Sequence, residues 1–418
     1  MHKPTGKTWH SGIRALASTA VGLLLVGGTT AQAHADSTRS QQWFLDAMHA
    51  DEMWRTSTGT GITVAVIDTG VDSDNPDLRG RVLDGLDLAA RRSGDEHTDY
   101  DGHGTGMAGL IAGTGAYEGG KGAFGLAPGV KILPVRMPGQ QDDNPFSGPS
   151  YVSKAIRYAT DSGARVINIS SGSTVQSPQL TAAVKYALQH GSLIFAAVGN
   201  DGDKGNPVEY PAATPGVVGV AAVGKNLSRT PWSTYGPQVD VSAPGDDMVH
   251  ACGGKTGLCK SYGTSDATAI ASASAALIWS KHPNWTNNQV LRVMLNTVGG
   301  PTNGAKRNDS IGYGIVRPRI ALQNPGDPGP ANVYPLPDFT AAGAGASSSP
   351  GAGAGAAKGS ESSKGSDASA KGDGVSAADS ASDGGNGVLW GALGIGAVVL
   401  LGGATAAVVI SRRRRSVG

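Results

Sequence analysis

Cysteine is almost absent. The 418 residues include two, Cys252 and Cys259, within Cys-Gly-Gly-Lys-Thr-Gly-Leu-Cys. Two thiolates do not complete a tetrahedral metal site, and in an oxidising compartment such a pair reads as a small disulfide that rigidifies the segment before Ser265. Aromatic residues are scarce, at 5%. An excess of one charge is also missing: 34 Lys and Arg stand against 33 Asp and Glu, with the basic residues dispersed through the central region. That balance gives no extended basic surface, so nucleic acid is not an expected partner. No Gly-rich phosphate loop occurs, which leaves nucleotide chemistry without support. The acids Asp72, Asp74 and Asp77 have oxygen ligands for calcium but read first as an exposed acidic turn. Neither a cofactor nor a catalytic metal is expected.

Hydrophobic residues make up 39% of the chain, ample for a buried core, and the 64 glycines divide between turns in the middle and an Ala/Gly/Ser stretch near the end. At the N-terminus Lys3, Lys7 and Arg14 precede an apolar run over residues 15–28 that closes on Ala33-His34-Ala35. This is the pattern of a secretion signal over residues 1–35, and the run is shorter than the roughly 20 residues a permanent span needs. Charge is lacking again from 387 to 410, where 24 residues would make roughly 36 Å of helix, enough to cross a bilayer core. Arg412, Arg413, Arg414 and Arg415 follow. The positive-inside rule then keeps the tail, residues 411–418, in the cytoplasm and the body of the protein outside the cell membrane.

Between these ends, short apolar runs at 62–68, 131–136, 166–170, 193–198 and 217–223 alternate with helical patterns at 151–162, 179–190 and 287–298. Alternation of this kind predicts an α/β fold, a mostly parallel sheet with helices on both faces, whose reactive groups collect at the carboxyl ends of strands. An N-terminal extension occupies 36–60 and the main domain 61–322. From 323 to 386 Pro, Gly, Ala, Ser and Asp dominate without hydrophobic periodicity, the composition of a flexible linker.

Four segments carry chemistry. Val64-Ala65-Val66-Ile67-Asp68 ends an apolar strand on a carboxylate that can orient an imidazole. Asp101-Gly102-His103-Gly104 sets a histidine between glycines just ahead of a small-residue helix, where a substrate can approach the ring closely. Gly263-Thr264-Ser265 opens another small-residue helix, whose first backbone N–H groups can support an oxyanion. Alone, that serine would read as a helix cap. Ala197-Val198-Gly199-Asn200 ends a strand on an amide that can complete an oxyanion hole, or simply form a turn.

In this order, Asp68, His103 and Ser265, with Asn200, resemble the subtilisin-like serine proteases, whose triad runs Asp, His, Ser along the chain. The resemblance covers about residues 41–322. It includes Ile167-Asn168-Ile169-Ser170-Ser171-Gly172, similar to the family's substrate-pairing strand, and also Tyr210-Pro211-Ala212 and Ser242-Ala243-Pro244-Gly245. It implies a serine endopeptidase that binds an extended protein or peptide substrate along Ser170, Ser171 and Gly172.

Gln42-Trp43-Phe44-Leu45-Asp46-Ala47-Met48-His49-Ala50, with the signal, linker and C-terminal helix, resembles the mycosins, membrane-anchored subtilases associated with type VII secretion. About 30 residues separate the expected cleavage site from the first strand, too few for a folding pro-domain. Two positions depart from the family pattern: Asp266 replaces the usual hydrophobic residue after the nucleophile, and Ala269 replaces a proline. Asp266 is expected near the mouth of the site, close to the developing oxyanion, where it would slow generic peptide hydrolysis or pair with a basic group on the natural substrate. The rival reading is a structural subunit of a secretion apparatus in which proteolysis is dispensable.

Overall fold

The structure, a computed structural model, describes residues 38–139, 149–252 and 258–339. The expected signal, most of the linker, the span at 387–410 and the basic tail lie outside the described residues. Among the described residues no helix is long and apolar enough to cross a membrane.

Seven strands form one sheet: β1 (Thr63–Asp68), β2 (Leu86–Asp87), β3 (Lys131–Arg136), β4 (Val166–Ile169), β5 (Leu193–Ala197), β6 (Val218–Val223) and β7 (Val241–Pro244). Their order is β2-β3-β1-β4-β5-β6-β7, and every pairing is parallel. Strands β4, β5 and β6 are buried along their whole length, the condition in which continuous Val/Ile/Ala runs replace alternation. The strand order reverses between β1 and β4, so a crevice opens beyond the carboxyl ends of those two strands. A separate antiparallel hairpin, β8 (Met248–His250) with β9 (Cys259–Ser261), pairs His250 with Cys259.

Three short helices, α1 (Thr38–Gln41), α2 (Trp43–Ala47) and α3 (Ala50–Trp54), precede the sheet. The remaining helices are α4 (His103–Ala112), α5 (Pro149–Asp161), α6 (Pro178–Gln189), α7 (Thr264–Lys281), α8 (Asn287–Thr297) and α9 (Pro318–Gln323). α4 and α7 pack on each other and on the sheet, while α5 and α6 form a second helical pair against β1, β3 and β5. Residues 264–279 of α7 are all buried. Its Ala, Ser and Thr side chains allow close approach to the strands, and their hydroxyls find acceptors: Thr268 Oγ1 donates to Thr264 O at 2.7 Å and Ser272 Oγ to Asn168 Oδ1 at 3.0 Å.

The segment expected as an N-terminal extension is fastened to this body. Gln42 is fully buried, and its amide donates to Phe124 O at 2.7 Å and Val249 O at 2.9 Å while accepting from Phe124 N at 3.0 Å. At the other end, the described chain continues past the expected domain boundary at 322. Leu336 is fully buried, and Tyr334 donates its hydroxyl to Gly216 O at 2.7 Å. A few well-placed apolar side chains dock this stretch despite its Pro- and Gly-rich composition. Asp77 does not lie in an exposed acidic turn. It is buried, and its two oxygens accept from Tyr117 N and Ala123 N, each at 2.8 Å.

Candidate active site

β1 delivers Asp68 to the crevice as its last residue, fully buried. The chain must turn at once, and Gly70 does so with φ 111°, where a Cβ would lie 2.5 Å from Thr98 O. Asp68 Oδ1 accepts from Thr69 N at 2.8 Å and pairs with His103 Nδ1 at 2.8 Å. His103 is the first residue of α4 rather than a residue ahead of it. Gly104 lets that helix meet β1, because a Cβ there would stand 2.1 Å from Gly70 O.

A carboxylate that the sequence did not single out organises this corner. Asp99 Oδ2 accepts from Thr105 N at 2.8 Å and Thr105 Oγ1 at 2.6 Å, while Oδ1 accepts from Gly102 N at 2.7 Å and Thr69 Oγ1 at 2.8 Å. It satisfies otherwise orphaned donors at the start of α4 and ties them to the residue after Asp68. Its place two residues before the Asp101-Gly102-His103 run was the only available signal.

Ser265 is the second residue of α7, so its N–H is one of the helix donors without an intrahelical acceptor. Its hydroxyl donates to Ser170 O at 3.0 Å, and among the described residues no hydrogen bond joins it to His103 Nε2. Asn200 Oδ1 accepts from Thr264 N at 2.9 Å and from Thr264 Oγ1 at 3.0 Å. With its oxygen so fixed, the amide presents its NH2 donor elsewhere, and the exposed Asn200 lines the same cleft as Ser265. That cleft, about 570 Å³, also includes Asp68, His103, Ser170, Ser171 and Gly172, so the residues singled out in four distant sequence segments converge on it. The remaining predicted pair, Cys252 and Cys259, forms a disulfide with Cα atoms 5.1 Å apart beside the β8–β9 hairpin.

Burial opposes charge on His103, but Asp68, and beyond it Asp266 and Asp101, outweigh burial and raise its pKa to about 9. Asp266 differs from expectation. It is 2% exposed, turned from the cleft mouth into the protein, and bonded to Ser261 Oγ. Ser261 Oγ meets His250 Nε2 at 2.9 Å, and His250 Nδ1 meets Ala251 O at 2.7 Å. Because the serine sits on a helix start facing the cleft, the next residue is rotated by about 100° toward the hairpin. Asp266 therefore cannot contact a substrate side chain, although its charge still acts on His103. Burial raises the pKa of Asp266 itself, against the opposing pull of His250 and the Ser261 bond.

Residues 59–314 match the Subtilase family. Fervidolysin of Fervidobacterium pennivorans is 34% identical over 324 residues, which cover 71% of this chain and 46% of that protein. The chain thus spans about half of that relative's length. The crystal structure of MycP1 from the ESX-1 type VII secretion system superposes with a TM-score of 0.60 at 28% identity, covering 70% of this chain and 88% of that one. The MycP3 protease from the type VII (ESX-3) secretion system gives 0.57 at 32% identity, covering 67% and 87%.

Proposed function

This chain belongs to the subtilase family, and from that premise we propose that it is a serine endopeptidase acting through Asp68, His103 and Ser265. The observation that carries the reading is the 2.8 Å contact between Asp68 Oδ1 and His103 Nδ1, in a cleft that also holds Ser265 and Asn200. A proton on Nδ1, held by the carboxylate, leaves Nε2 as the acceptor. An extended peptide laid along Ser170–Gly172 brings its carbonyl carbon to Ser265, whose Oγ rotates from Ser170 O toward Nε2. The Oγ–C bond forms as the Oγ proton passes to Nε2, and the carbonyl electron pair moves onto oxygen. The Asn200 amide and the Ser265 N–H stabilise that oxyanion. The C–N bond then breaks as Nε2 returns the proton to the departing amine, and water repeats the sequence on the acyl-enzyme.

Similarity to MycP1 and MycP3 supports a finer reading in which the protein processes substrates of a type VII secretion system from the outer face of the membrane. In this reading residues 1–35 direct export, the 387–410 segment spans the bilayer and the basic tail stays inside. Likeness to MycP1, a serine protease that is an essential component of the type VII (ESX-1) secretion system, favours a second reading, a scaffold of the apparatus with dispensable proteolysis. The test is a peptidase assay of the full chain and of Ser265→Ala, with secretion measured in a deletion strain complemented by each. Ser265→Ala should lower peptide hydrolysis by about 10³-fold or more. Undiminished hydrolysis would contradict the mechanism, and secretion restored by Ser265→Ala would support the scaffold reading.

A further inference from the structure

Besides Asp68, three acids line the cleft, Asp101, Asp201 and Glu209, and the proposed mechanism assigns no role to Glu209. Glu209 is half-buried and lines the cleft with Ser265, His103 and Asn200. Its carboxyl group fills the gap between two walls: a Cβ added at Gly172 would lie 2.4 Å from Oε2, and one at Gly199 would lie 2.8 Å from Oε1. Gly172 ends the proposed substrate-binding segment, and Gly199 directly precedes Asn200. The carboxylate thus forms the floor of a trough whose walls are the substrate strand and the oxyanion loop, and any larger residue at either glycine would displace it.

Among the described residues no ion pair and no hydrogen bond reaches this carboxyl group. Burial and the neighbouring Asp201 both push its pKa up. Asp201 itself has Lys204 Nζ at 3.7 Å, whereas Glu209 has no such partner. Arg92, which also lines the cleft, stacks over the Tyr100 ring at 4.2 Å. A sheltered carboxylate without a countercharge is unfavourable in the free protein and becomes favourable when a cation enters. With the scissile carbonyl at Ser265 and its oxygen toward Asn200, the side chain of the residue that contributes this carbonyl drops between the two walls, above Glu209.

We propose that Glu209 is a specificity-determining residue that selects Lys or Arg immediately N-terminal to the scissile bond. The inference rests on the peptidase reading above and names its substrate class. A long cationic side chain satisfies the carboxylate, a neutral one leaves it unpaired, and an acidic one is repelled.

The test uses the full chain and fluorogenic peptides that differ only at that residue: Lys, Arg, Met or Glu. Each preparation is first titrated with a fluorophosphonate, so that rates are expressed per reactive Ser265. Lys and Arg peptides should exceed the Met peptide in kcat/KM by about a hundredfold. Glu209→Gln should largely abolish that ratio, and Glu209→Lys should shift preference toward the Glu peptide. If a variant does not fold, the wild-type ratio still decides. A wild-type chain that labels yet cleaves Met as readily as Lys overturns the inference, as does a labelled Glu209→Gln chain that keeps the preference. A wild-type chain that fails to label contradicts the peptidase reading itself and takes this inference with it.

Discussion

In the proposed mechanism His103 must be neutral to accept the Ser265 proton, yet three nearby carboxylates favour its charged form over the opposing effect of burial. With the pKa raised to about 9, kcat/KM should climb as pH rises, with its acid limb centred well above the ordinary histidine value of 6.5. At pH 7 roughly one site in a hundred would then hold a neutral imidazole. Asp266→Asn removes one of those charges while keeping the side-chain volume, so the limb should move to lower pH and activity at pH 7 should increase. A profile identical to the wild type's would show that Asp266 carries no charge that His103 senses. Asp266 is also instructive about what sequence could tell. Adjacency to the nucleophile implied proximity to the chemistry, which holds electrostatically. It did not reveal which way the side chain points, because that depends on the hairpin packed beside α7. Asp99 had only its nearness to the Asp101-Gly102-His103 run as a signal and Glu209 had none, since their roles depend on contacts with Gly172, Gly199, Thr69 and Thr105 that only the fold creates.

The short, continuous apolar runs gave β1, β3, β4, β5 and β6 to within a residue or so, because strands buried in a parallel sheet advertise themselves by composition. β2, β8 and β9, at two or three residues each, are too short to leave a periodic signal, and β7 lay hidden in the Ser242-Ala243-Pro244-Gly245 motif. The α7 helix was legible only at its start, since its small residues give no amphipathic stripe to extend it to Lys281. The β8–β9 hairpin matters to the site because it supplies His250 and Ser261, which hold Asp266, and because His250 packs against α4 where a Cβ on Gly106 would lie 2.6 Å from the imidazole. Its disulfide closes a short loop, with a sequence separation of 7. Loop-closure entropy of that size stabilises the folded protein by about 2 kcal/mol. Denaturant unfolding of the full chain should show about that difference between oxidised and reduced protein. Equal midpoints in the two states would assign the disulfide no role in stability.

Across the whole molecule, the convergence of the proposed catalytic residues was readable because they lie in short motifs at element ends, where residue type and backbone geometry are tightly coupled. Asp68 at the end of β1, His103 at the start of α4 and Ser265 at the start of α7 are brought together by the reversal of strand order between β1 and β4 and by the packing of α4 on α7. The limits of the folded body were less readable: Gln42 and Tyr334 each anchor a segment that composition assigned to an extension or a linker. In the proposed mechanism this fold activates Ser265 as a nucleophile. Labelling the full chain with a fluorescent fluorophosphonate, beside Ser265→Ala and His103→Ala, tests it most directly. Wild type should label stoichiometrically at Ser265, faster at alkaline pH as His103 loses its proton, with no labelling in Ser265→Ala and at least a hundredfold slower reaction in His103→Ala. A folded wild-type chain that stays unlabelled, or that labels equally fast without His103, would contradict it.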